Sequence, residues 1–159
     1  MRKLLGSLLV VVIALAAVGG ALLFLQSRDD AGVGGTATGP GERVDDRCPA
    51  REVPVTRDRR KLSRDQIQTA LAQGNVVLFY ARRPLPELRE LQRDFTGGAF
   101  DAEIAAAGQA VILADNDPPS GYQARAWGRR LTVTAPNDQK LRQFTEAWLG
   151  KGAPKPCPS

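Results

Sequence analysis

The chain has 159 residues, with 22 Lys and Arg against 17 Asp and Glu, two cysteines and no histidine. Without imidazole, Ser–His–Asp and Cys–His catalysis is excluded, and a zinc or copper site would have to be built from the two thiols. The formal charge of +5 with 6% aromatic residues, and no interleaving of basic and aromatic side chains, does not describe a nucleic-acid binder.

Leu4 to Leu25 is an apolar run without a charged residue, and Arg2-Lys3 stand just before it. At about 1.5 Å per residue, such a run crosses a ~30 Å hydrocarbon core as one helix. A cleaved signal peptide would share the basic start and the Ala14-Leu15-Ala16 stretch. The apolar run, however, continues through Leu22-Leu23-Phe24-Leu25, longer than a typical signal core. Residues 1–26 are therefore expected to be a cytoplasmic tip and a single-pass anchor, with the cleaved signal as the alternative. The positive-inside rule places the rest of the chain outside the cell membrane. The bilayer is thus the first expected partner.

Residues 27–47 lose the apolar pattern. The stretch Gly32-Val33-Gly34-Gly35-Thr36-Ala37-Thr38-Gly39-Pro40-Gly41 has little to bury and reads as a flexible linker. Cys48 follows, and Cys157 lies near the other end of residues 48–159, the expected extracytoplasmic domain. In an oxidising compartment the simplest reading is a disulfide across about 109 residues, which contributes at most ~4–5 kcal/mol through chain entropy. Two free thiols or an intermolecular bridge are the alternatives. No Cys-x-x-Cys is present, which excludes thiol–disulfide catalysis of the usual kind.

Within the domain, Ser63-Arg64-Asp65-Gln66 matches a capping box, and Ile67, Ala70 and Leu71 give residues 64–73 an amphipathic helix stopped at Gly74. Val76 to Ala81 is a β-branched and aromatic run suited to a strand buried on both faces. Leu85, Leu88, Leu91 and Phe95 mark a helix over residues 84–95, and Phe100 and Ile104 a short one over 100–107. Ala110 to Ala114 reads as a second buried strand, and Asp115 to Gly121 as a turn. Tyr122 to Thr134 holds one or two strands bent at Trp127-Gly128. After Pro136-Asn137 comes a last helix with Leu141, Phe144, Ala147 and Trp148 on its apolar face. The order α-β-α-(α)-β-β-α, with a helical crossover, calls for a parallel strand pair and a small α/β sandwich.

Gln73 to Tyr80, the Leu-rich helix after them, Ala126-Trp127-Gly128-Arg129-Arg130-Leu131, and Leu141 to Trp148 followed by Gly150-Lys151-Gly152-Ala153-Pro154 resemble the C-terminal half of an uncharacterised bacterial membrane-anchored family. That family is catalogued as domain of unknown function 3105. The resemblance implies histidines, in a Leu-Glu-His-Gly-Gly segment and a Pro-rich upstream segment, that this chain lacks. Gln73 stands where the first would be. A second likeness, of Val76 to Ala81 with Arg82-Arg83-Pro84-Leu85-Pro86, is to the first strand and active-site loop of thioredoxin-like domains. It implies a shared scaffold without the redox cysteines.

The remaining chemistry is sparse. Asp115 and Asp117, with Ser120 and Glu103 as further candidates, could hold a hard cation at a strand end, or simply form an Asx turn. Arg57, Arg59, Arg60, Lys61 and Arg64 make a basic run, either a contact for anionic lipid or wall polymer or a solvated surface. Further basic pairs occur at Arg82-Arg83 and Arg129-Arg130. Trp127 and Trp148 are read as core, or as walls of a partner groove. The expected function is a non-enzymatic, cofactor-free interaction or scaffold domain of the cell envelope, meeting an envelope protein or an anionic polymer. The alternatives are a metal-dependent envelope enzyme using Asp115 and Asp117, and a domain that binds anionic lipid or wall polymer.

Overall fold

The computed structural model describes residues 39–154. The apolar run Leu4 to Leu25 and Cys157 lie outside them. Among the described residues no helix is long and apolar enough to cross a membrane.

A single mixed sheet of five strands, ordered β1-β5-β4-β2-β3, organises the domain. Its strands are β1 (Glu42–Arg43), β2 (Val76–Phe79), β3 (Val111–Ala114), β4 (Tyr122–Ala126) and β5 (Arg129–Val133). The helices are α1 (Arg64–Gln73), α2 (Pro86–Thr96), α3 (Ala102–Ala106) and α4 (Gln139–Trp148). Strands β2 and β3 pair in parallel, Val76 opposite Val111, as the intervening helices require. β4 pairs antiparallel with β2 and turns at Trp127-Gly128 into β5.

Every residue of β2 and β3 is buried. Val77, Phe79, Ile112 and Ala114 pack against Ala70 and Leu71 of α1 and Ala105 of α3, together with Val55 and Leu62. Alternation sends Val76, Leu78, Val111 and Leu113 to the opposite face. There α2 lies over β3, and α4 over β4 and β5. The capping box of α1 forms in both directions, and Gly74 closes that helix in the left-handed conformation.

One expectation is corrected. The folded unit begins at Gly39 rather than at Cys48, so the last part of the expected linker is structure. Glu42 and Arg43 pair with Arg130 and Arg129 on the edge of β5. Val44 N–H donates to the Gly128 carbonyl at 3.1 Å. The buried Asp46 carboxylate takes the Arg125 guanidinium and the Gly128 N–H. The physical reason lies in the two glycines. A Cβ on Gly39 would stand 2.5 Å from the Trp148 ring, and one on Gly41 (φ +98°) 2.7 Å from the Phe144 ring. The glycines let the backbone lie flat on two aromatic side chains, and Trp148 Nε1 donates to the Pro40 carbonyl at 2.8 Å. Trp148 is therefore core, covered by this segment, with Arg129 and Lys151 at 4.7 and 5.3 Å from its ring centre.

Candidate functional site: a basic groove on the edge of the sheet

The segment before α1 is a strap fixed at both ends. Val53 N–H donates to Thr69 Oγ1 at 3.0 Å, and Val55 enters the core. At the far end Leu62 is buried, and the Asn116 side-chain amide both accepts from Leu62 N–H and donates to its carbonyl, each at 2.9 Å. In between, the strap runs along β3. Arg59 N–H donates to the Leu113 carbonyl at 2.7 Å, and Asp115 N–H to the Arg60 carbonyl at 3.1 Å. Two apolar anchors thus hold a loop, Thr56 to Lys61, whose basic side chains are exposed while Asp58 turns inward.

Thr56, Arg57, Asp58, Arg59, Arg60 and Phe100 line an open groove of about 430 Å³. Asp58 forms its floor. The Asp58 carboxylate is only 4% exposed, with Arg59 Nε donating to Oδ1 at 3.2 Å and Gln92 Nε2 to Oδ2 at 2.7 Å. Gln92 is itself buried on α2 and also donates to the Val111 carbonyl at 2.9 Å.

Arg82, beyond β2, joins the same end of the sheet because its backbone N–H donates to Asp115 Oδ1 at 3.2 Å. Arg59, Arg82 and Asp117 are the non-glycine residues with positive φ among those described, at +56°, +74° and +45°. Each costs roughly 1–2 kcal/mol relative to a right-handed conformation, so the local folding is constrained by the bonds around it. Tyr80 is buried beneath this region. Burial first, then the carboxylates of Asp115 and Asp58, push its phenol up to about 12, with Arg59 and Arg89 acting in the opposite direction.

The structure sorts the sequence candidates. Arg57, Arg59 and Arg60 share the groove, while Lys61 and Arg64 are exposed beyond its lining. Arg82-Arg83 comes to the same end of the sheet, whereas Arg129-Arg130 sits on β5, where Arg130 meets Glu42. Asp115 is a connector between the strap and the β2 loop, and Asn116, which sequence reasoning passed over, is the stronger clamp. Asp117 and Ser120 are exposed on the turn, and Glu103 is exposed in the first turn of α3, its N–H capped by Asp101. No three His, Cys, Asp or Glu side chains among the described residues gather to hold a metal ion. A second groove, of about 320 Å³, lies between α2 and the start of α4, rimmed by Glu87, Glu90 and Asp138. No catalytic pairing of nucleophile and base is evident in either groove.

No protein-family model, no curated protein and no solved structure matches this chain.

Proposed function

We propose that the chain is a membrane-anchored, extracytoplasmic interaction domain without catalytic activity, and that the groove of Arg57, Arg59 and Arg60 is its contact surface for an anionic partner in the envelope. The observation that carries this reading is the strap. Two buried anchors and an Asn clamp hold three arginines at one edge of the sheet, and only Arg59 among the three has an ion-pair partner in the described residues. A merely solvated surface needs no buried carboxylate beneath it.

The scaffold is proposed to be thioredoxin-like. In support, a parallel pair joined by a helical crossover is followed by an antiparallel hairpin and a terminal helix, with helices on both faces of the sheet. The loop after β2 then carries Ala81-Arg82-Arg83-Pro84 and offers charge rather than redox chemistry. Kinship with domain of unknown function 3105, the anchor at Leu4 to Leu25 and the Cys48–Cys157 bond belong to the same proposal.

A photoreactive residue at Thr56, in the full-length protein in living cells, tests the contact surface. Adducts are expected from Thr56 and not from the exposed Glu146 on α4. Equal adducts from the two positions, or none from Thr56, would refute the reading.

A further inference from the structure

Resting on the reading of the groove as a contact surface, its internal bonding identifies the chemistry of the ligand. A guanidinium has two edges on which it can present paired donors, and Arg59 engages Asp58 through Nε. The carboxylate that receives it is fixed in turn by Gln92, which is fixed by the Val111 carbonyl. This line of bonds leaves the Nη1–Nη2 fork of Arg59 directed away from Asp58, on a side chain that is 49% exposed. A buried carboxylate, a buried glutamine and a left-handed backbone residue each carry a folding cost, and all three converge on the orientation of one exposed guanidinium.

A prepositioned fork matches planar or tetrahedral oxyanions. With Arg57 and Arg60 on the same lining, three cations offset by one carboxylate offer more charge than a single carboxylate ligand neutralises. A phosphate group has enough oxygens to be shared among them, and the Thr56 hydroxyl stands on the same wall. We infer that the groove binds a phosphate group, as monoester or diester, through the outer fork of Arg59, with Arg57 and Arg60 sharing its charge. Asp58 and Gln92 are positioning residues. Phosphate of this kind is offered both by lipid headgroups and by phosphate-containing polymers.

The test uses the full-length chain in neutral-lipid nanodiscs, titrated with inorganic polyphosphate and with polyglutamate of matched charge. Vesicles containing phosphatidylglycerol form a separate arm. Polyphosphate is expected to bind about tenfold more tightly than polyglutamate, and Arg59→Lys, which keeps the charge but removes the fork, is expected to lose about tenfold. Asp58→Asn separates positioning from simple charge. It adds one unit of net positive charge, so a site working by charge alone would bind more tightly, whereas loss of the oriented fork weakens binding. Vesicle binding that polyphosphate does not displace supports the headgroup as the source, and displacement supports the polymer. Equal affinity for the two polymers, an Arg59→Lys variant that binds like the parent, or tighter binding by Asp58→Asn overturns the phosphate assignment. In each of these results retained salt-sensitive binding, with adducts still formed from Thr56, leaves the broader contact-surface reading in place.

Discussion

Tyr80 and Asn75 show how single polar groups are held inside this fold. The Tyr80 phenol is neutral in both folded and unfolded chains below pH 10. Between its ordinary value of 10.0 and its folded value of about 12, the unfolded chain ionises while the folded one does not, so stability falls as pH rises through this window. Chemical denaturation across that range should show the parent losing more stability than Tyr80→Phe. Parallel curves for the two proteins would contradict the burial of the phenol. Asn75 is fully buried and satisfied on both sides of its amide. Nδ2 donates to the carbonyls of Ala70 and Ala105 at 3.1 and 2.8 Å, and Oδ1 accepts from Ala110 N–H at 2.9 Å. It joins α1, α3 and the entry to β3. Asn75→Leu should therefore destabilise by about 1–3 kcal/mol in urea unfolding, since it strands the buried Ala110 N–H, whereas the Ala70 and Ala105 carbonyls keep the backbone N–H groups of Asn75 and Gly108 as donors.

Elements with a period were legible in the sequence, and elements without one were not. The three- and four-residue spacing of Leu88 and Leu91 marks α2, and the Ser63–Gln66 reciprocity marks the start of α1, because both arise from local geometry. Continuous apolar runs mark β2 and β3 because both faces of those strands are covered. Strand β1 has two residues and no period, and its flanking glycines read as flexibility. Their actual role is steric, because the Trp148 and Phe144 rings leave no room for a Cβ. The strap was opaque for a similar reason. Its anchors, Val55 and Leu62, are seven positions apart with a charged run between them, and the Asn116 clamp is 54 residues away. The arginines of the groove were visible as a run. That Arg82 joins the same end of the sheet, and that Asp58 turns inward, depends on tertiary contacts alone. Gly41→Val tests the first of these elements. It should lift the segment from the aromatic pair, shift Trp148 emission to the red and cost about 1–3 kcal/mol. Unchanged emission and melting would show that the segment does not pack there.

Across the domain, the placement of charge bears on where the chain can act. Of 22 Lys and Arg, those in the groove are organised around a buried carboxylate, while others are neutralised locally, as Arg125 is by Asp46, Arg130 by Glu42 and Arg142 by Asp94. A basic edge of this kind has an anionic envelope component to meet only if the domain stands outside the membrane. The proposed pairing of Cys48 with Cys157 would depend on the same proposed exported address. Intact cells treated with a membrane-impermeant maleimide mass tag, with and without reductant, measure both at once. No tag is expected on the protein before reduction, and two tags after it. Tagging without reductant, or tagging that requires the cells to be permeabilised, would contradict the pairing or the address.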